Sequence, residues 1–200
     1  RNAFRVYLVF SKIGKEEKEE LRELLDVLSK GSVNNYYRGQ ADASWYLDSS
    51  LTREEKYKEN EARMYYDILS LKPEAFANDY SIYDRLITMQ HFGMPTRLLD
   101  ITRNPLVSIF FSCNNLDRAN ADGLVYTFVP EADNFLNFDD ERLKCLTNSI
   151  INQDADFKNI SCKLTHQQKE DCFAKNWFVQ GIAKNQRINN QSGDFVFVSS

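Results

Sequence analysis

The order of elements along this 200-residue chain predicts an α+β fold. Two observations carry that reading. Runs of β-branched and aromatic residues lie near both ends, FRVYLVF at 4–10 and GDFVFV at 193–198, and most of the helical periodicity is grouped between them. A doubly wound fold would alternate strand and helix throughout instead.

Taken in order, FRVYLVF reads as a strand or as the lead-in to a helix, since its period fits both. After Gly14, the stretch Lys15 to Lys30 places Leu21, Leu24, Leu25 and Leu28 at helical spacing. Its first turns carry Glu16, Glu17, Glu19 and Glu20, and Gly31 follows its end, as a helix dipole and a C-terminal cap favour. The charge run is read as a solvated helix face. SVNNYYR at 32–38, closed by Gly39, is a strand entering a turn. Glu54 to Leu71 is predicted helical, with Ala62, Tyr65, Tyr66 and Leu69 on one side. A second helix over Ser81 to Gln90 carries Ile82, Leu86, Ile87 and Met89 and is stopped by Gly93 and Pro95. Asn104-Pro105 opens a strongly apolar segment that suits a buried helix. Gly123 precedes the strand LVYTFV, closed by Pro130. Residues 131–185 are polar and predicted helical in pieces, around Phe138 to Ile151 and Thr165 to Trp177, as an insertion packed on the main sheet. The reading is one domain over 1–200, with no internal repeat and no linker.

Composition narrows the function. Lys and Arg number 25 against 29 Asp and Glu, a net charge of -4, which argues against a main role in gripping nucleic-acid backbone or anionic membrane. A local basic groove stays open. With 42% hydrophobic residues the chain is too apolar for disorder. Its longest nearly apolar run, Leu106 to Cys113, is far short of the roughly 20 residues of a membrane helix. No membrane partner is expected. Cys113, Cys145, Cys162 and Cys172 form no C-x-x-C pair, and with two histidines in the chain they support no metal site; each is read as an ordinary thiol in a reducing cytoplasm. Asn159-Ile160-Ser161 and Asn190-Gln191-Ser192 match the glycosylation pattern, but nothing else points to secretion. The chain opens at Arg1 with neither Met nor signal peptide, as an internal domain would.

No G-x-x-x-x-G-K, G-x-G-x-x-G, G-x-S-x-G or H-E-x-x-H occurs, which removes most of the weight from nucleotide-hydrolysis, Rossmann, serine-hydrolase and zincin readings. Polar residues instead gather at Arg38-Gly39-Gln40 and in the stretch from Gln90 to Pro105. There Arg97, Asp100 and Thr102 alternate with Leu98, Leu99 and Ile101, so the segment runs through or beside a core. A buried Arg needs a partner. Two readings compete: an Arg97–Asp100 or Arg38–Asp100 ion pair pins the turn, or the arginines form a fork for phosphate or carboxylate. His91 either caps the preceding helix or serves a ribose or phosphate as hydrogen-bond donor or general base. His166 is read as a surface residue, and Trp45 and Trp177 as core or rim aromatics.

YYRGQ at 36–40, followed by Trp45, Leu51 and Arg53, and QHFGMPTRLLDITRNPLVSIFFSC at 90–113 resemble the FRG domain family. The resemblance spans roughly Tyr36 to Pro130, with an echo at Arg187 to Phe195; Ile101 stands where the family usually has Trp. The order of elements is in turn similar to the ADP-ribosyltransferase fold, which implies a mixed, mostly antiparallel sheet core with helices, binding NAD as substrate. On that resemblance Arg38 and Arg97 hold the phosphates, with Gly39, Gln40 and Thr96 beside them. His91 and Thr102 serve the ribose, Asp100 orients an Arg, and Gln191 or Asp194 sits near the reacting carbon. Whether Asp194 faces a cleft, its alternation with Phe195 leaves open. The implied reaction is cleavage of the nicotinamide–ribose bond, with a protein or nucleic-acid acceptor, in a cytoplasmic effector or toxin of stress or phage defence. The alternatives are a non-catalytic module sensing a nucleotide or nucleic-acid end, and a protein-interaction domain in which the motif is structural.

Overall fold

The computed structural model describes residues 4–9, 22–23, 26, 35–118, 120–152, 159–181 and 193–199. The fold is α+β with mostly antiparallel strands. The chain forms two compact units, one of Arg1–Leu47, Asp100–Asp133 and Ala183–Asp194, the other of Asp48–Leu99, Asn134–Ile182 and Phe195–Ser200. The long helix predicted over Lys15 to Lys30 lies for the most part outside the described residues; Arg22, Glu23 and Asp26 are helical and exposed.

The first unit is built on β1 (Phe4–Val9), β2 (Tyr36–Gln40), β4 (Gly123–Phe128) and the last residues of β3 (Leu98–Thr102). β1 runs antiparallel to β4 from Phe4↔Phe128 to Val9↔Gly123, and β2 antiparallel to β4 from Tyr36↔Phe128 to Gln40↔Leu124. On the far side of β2, Tyr37 faces Thr102 of β3. YYRGQ is thus strand along its whole length, where the sequence places a turn at Gly39.

Helix α4 (Pro105–Cys113) packs on this sheet, and its start follows local rules. Asn104 caps it, its Oδ1 accepting the Leu106 N–H at 3.0 Å, with Pro105 in the first turn where no N–H is needed. The sequence reading of a buried helix needs correction. The side turned inward carries Ser108, Ile109 and Ser112, while Leu106 and Phe110 are more than half exposed. The cause is the closeness of helix and sheet. A Cβ on Gly39 would lie 1.8 Å from the Ser108 carbonyl oxygen, and one on Gly123 would lie 2.2 Å from that of Ser112. Only small residues fit between backbones at that distance, so the bulky side chains are left on the outer face.

The second unit holds α1 (Glu55–Glu59), α2 (Glu61–Leu71), a 3-10 turn at Pro73–Phe76, α3 (Ile82–His91), α5 (Glu141–Asn152) and α6 (His166–Phe173). The helix predicted over Glu54 to Leu71 is two, broken at Asn60, whose φ of -110° and ψ of 12° leave the helical region and whose Nδ2 donates to the Lys56 carbonyl. A short amide that satisfies a carbonyl itself competes with the next helical turn. α3 begins with a capping box, Ser81 accepting the Asp84 N–H and Asp84 accepting the Ser81 N–H. α2 and α3 both pack on α5. Among the described residues of 131–185 are the two helices the sequence suggests and two strands it does not, β5 (Phe135–Leu136) and β6 (Trp177–Val179). β5 is parallel to β6, and β6 is antiparallel to β7 (Gly193–Phe197), with Trp177↔Phe197 and Val179↔Phe195. Leu51, Tyr65, Tyr83, Leu86, Leu98, Leu136, Leu143, Leu146, Ile160 and Phe197 are the large, fully buried side chains of this unit. Among the described residues no helix is long and apolar enough to cross a membrane.

Candidate functional site

Strand alternation sorts the residues of β2. Tyr37 and Gly39 point to the side that α4 covers, so Tyr36, Arg38 and Gln40 share the opposite face. Phe128, Tyr126 and Leu124 of β4 stand directly beside them and extend that face. The result is one arginine on an aromatic surface.

Arg38 is held there by the main chain. Its Nη1 donates to the Asp100 carbonyl oxygen at 2.7 Å, while the Asp100 carboxylate lies at 3.9 Å and is 63% exposed. Of the two ion pairs the sequence proposes, Arg38–Asp100 therefore exists, but its short contact is to the backbone. Two residues on, Gln40 is buried; its Nε2 donates to the Trp45 carbonyl at 3.1 Å, and its Oε1 is buried without accepting a hydrogen bond. The loop beyond is set by Asp42, whose Oδ1 accepts from both the N–H and the hydroxyl of Ser44. These bonds, together with Arg118 at 3.4 Å, hold its carboxyl below the ordinary 3.8. Arg118 also lies over the ring of Trp45, a rim aromatic.

A second guanidinium occupies the same face. Arg103, just past β3, lies over the Tyr36 ring at 5.2 Å, and its Nε donates to Asp194 Oδ2 at 2.8 Å. Asp194, at the start of β7, is 7% exposed and Arg103 is 53% exposed. The face of Asp194 that alternation left open is thus decided: its carboxylate turns to Arg103. Tyr36 shares hydrogen bonds with both, and its phenol is pushed above the ordinary 10 by burial and then by the Asp194 charge, which Arg103 counters only in part.

The remaining sequence candidates make other contacts. Thr102 pairs with Tyr37 and so belongs to the α4 side of the sheet; its Oγ1 accepts the Asn104 N–H at 3.1 Å, at the entry to α4. Ile101 is a buried residue of β3. Thr96, Arg97 and His91 belong to the second unit. Thr96 is buried, donating to Gln90 Oε1 at 2.7 Å. Arg97 does not pair with Asp100 as one reading had it: its Nε donates to both oxygens of Glu61 at 2.9 Å, its Nη2 lies 2.7 Å from Glu61 Oε2, and its Nη1 donates to the Ser199 carbonyl at 2.9 Å. Glu61, on the inner side of α2 beside Ala62, is the acid that α2 supplies to it. His91 ends α3 as an exposed residue with its ring 5.9 Å from that of Phe92. His166 is exposed on α6, and Trp177 is buried, its indole N–H on the Cys172 carbonyl. Gln191 and the rest of the Arg187–Gln191 echo lie outside the described residues.

The site therefore joins Arg38, Gly39, Gln40, Asp100 and Asp194 within one unit, and adds two residues that sequence reasoning passed over, Tyr36 and Arg103. Tyr36 carried a usable signal, since it lies two positions before Arg38 on the same strand face. Arg103 carried none beyond standing inside the quoted block. Among the described residues no group of His, Cys, Asp and Glu could hold a metal ion.

The family model described as FRG domain matches residues 33–121. No curated protein and no solved structure matches the chain. Residues 33–121, which contain β2, α1 to α3, β3 and α4, are an FRG domain.

Proposed function

We propose that this FRG domain binds NAD and cleaves its nicotinamide–ribose bond as an ADP-ribosyltransferase does, with the dinucleotide lying on the Arg38 face of β2. The observation that carries the reading is the pairing of two guanidiniums on one strand face, Arg38 set by the Asp100 carbonyl and Arg103 set by the Tyr36 ring and Asp194. A planar fork held in advance suits phosphate oxygens better than a flexible ammonium does. In this reading Arg38 and Arg103 take the two phosphates. Breaking the bond between the ribose carbon and the nicotinamide nitrogen leaves positive charge on the ribose, which a fixed carboxylate stabilises. Asp194 is the first candidate for that charge and Asp100 the second; Gln191 orients a ribose hydroxyl. An acceptor nucleophile, from protein or nucleic acid, then completes the transfer.

A second reading rests on the 2.8 Å bond from Arg103 to Asp194. A carboxylate committed to an arginine serves binding more than catalysis, which favours a module that senses a nucleotide without cleaving it. One experiment separates the two. NAD should raise the melting temperature of the wild-type chain, and Arg38→Lys should abolish the rise with an unchanged circular dichroism spectrum. With cell extract supplying acceptors, nicotinamide should appear, and Asp194→Asn should slow its release at least about tenfold, or roughly 1.4 kcal/mol of barrier. Binding without nicotinamide release selects the sensing module. No response to NAD ends both readings as they concern this ligand.

A further inference from the structure

Two thiols that the sequence separates by 17 residues meet inside the second unit. Cys145 lies on the inner side of α5 between the buried Leu143 and Leu146, and is itself fully buried. Cys162 lies on the segment leading to α6, half-buried, and its thiol donates to the Cys145 sulfur at 2.6 Å. That segment is pinned on both sides. Ile160 is buried, its carbonyl accepts from the buried Lys169 ammonium at 2.6 Å, and the Ser161 carbonyl accepts from Asn148 of α5 at 3.3 Å. The contact is thus supported by two hydrogen bonds to the backbone just before Cys162, from Lys169 and Asn148, and not by the sulfurs alone. The remaining cysteines are differently placed. Cys172 is buried on α6 with its thiol toward the Arg142 carbonyl, and Cys113 belongs to the other unit.

We infer that Cys145 and Cys162 form a redox site that closes to an intramolecular disulfide when the protein meets a peroxide. Cys162, the more accessible sulfur, attacks one peroxide oxygen; the O–O bond breaks, the oxygen taken up becomes a sulfenic acid, and one water leaves. The Cys145 sulfur then attacks the Cys162 sulfur, the S–O bond breaks, and a second water leaves with the thiol proton. Two thiols and one hydrogen peroxide become one disulfide and two waters, with two electrons passing from the sulfurs to the peroxide. The division of labour follows from environment. Burial pushes the Cys145 thiol up to about 12, so it stays protonated and unreactive until its neighbour is oxidised. A sulfur–sulfur bond of ~2.05 Å asks for a small further approach of groups already in contact. The bond would tie α5 covalently to the segment before α6.

The full chain is treated with hydrogen peroxide, quenched with N-ethylmaleimide and mapped by peptide mass spectrometry. The expected result is one linked peptide pair joining Cys145 to Cys162, lighter by two hydrogens, with Cys113 and Cys172 alkylated. Closing a loop of this length should raise the melting temperature by about 5 °C or more, reversed by dithiothreitol. Cys162→Ser, at a half-buried position, and Cys145→Ser should each lose both the link and the shift, while Cys172→Ser should keep them. The wild-type mapping needs no variant to fold. A link through Cys172 or Cys113, a Cys162 that stops at sulfinic acid, or four alkylated thiols after a peroxide dose that fully oxidises glutathione overturns the inference.

Discussion

Arg103 binds Asp194 across 91 residues of sequence, and the two are unequally placed: the carboxylate is 7% exposed, the guanidinium 53%. The acid is therefore the partner at risk, because a carboxylate removed from water must keep its compensating charge. Tyr36 makes this a three-part arrangement, its ring under Arg103 and its phenol bonded to both.

Arg103→Ala should accordingly destabilise the protein although it removes a half-exposed side chain. The expected loss is about 1–3 kcal/mol, below the figure for a fully buried pair because water screens Arg103. Arg103→Lys should recover part of it, since an ammonium keeps the charge but not the planar stacking. Urea unfolding measures both. A loss in Arg103→Ala no larger than that of an ordinary surface Arg→Ala change would contradict the account.

Tyr36 predicts an alkaline signature. Its folded pKa is raised above 10, so between 10 and the folded value the folded chain holds a proton that the unfolded chain has released. The stability this contributes is fully present below pH 10 and is lost as pH rises through the folded value. Tyr36→Phe should flatten that part of the stability curve, and the difference in tyrosinate absorbance between the two proteins should show a group ionising above 10. A difference spectrum titrating at or below 10 refutes it.

Two glycines should respond differently to the same substitution. At Gly39 a methyl group would lie 1.8 Å from the Ser108 carbonyl oxygen, so Gly39→Ala must push α4 off the sheet. The expected cost is about 3 kcal/mol or more, the upper end of overpacking. At Gly93 nothing lies within 4 Å of an added Cβ, but φ is 78°, so Gly93→Ala should cost only the left-handed backbone strain of about 1–2 kcal/mol. Melting temperatures of the two variants compare them directly, and equal losses would show that α4 gives way easily.

Local chemistry made much of this protein legible from its residues. Asn104-Pro105 starts α4 by capping and by the fixed φ of proline; Gly93 and Pro95 follow the end of α3; alternation marks β4. YYRGQ and the block at 90–113 pointed to the FRG domain and to Arg38 and Asp100 because a motif is itself a local pattern. What local chemistry did not decide is which group meets which. Arg97 could have chosen Asp100, three residues away, yet it binds Glu61, 36 residues away; the Arg38 guanidinium takes a carbonyl in preference to the nearby carboxylate; Asp194 turns to Arg103; Cys145 meets Cys162. Each of these depends on the path of the chain between the partners, and no window of neighbouring residues contains that path. The short strands β5 and β6 were missed for the same reason, since two or three residues show no period of their own and become strand only through their pairing with each other and with β7. The sequence by itself determined the elements with their own caps and periods and the motif that marks the family. The tertiary structure alone decided the charge partners, the outward turn of the apolar face of α4, and the meeting of the thiols, because burial and distance are properties of the folded chain.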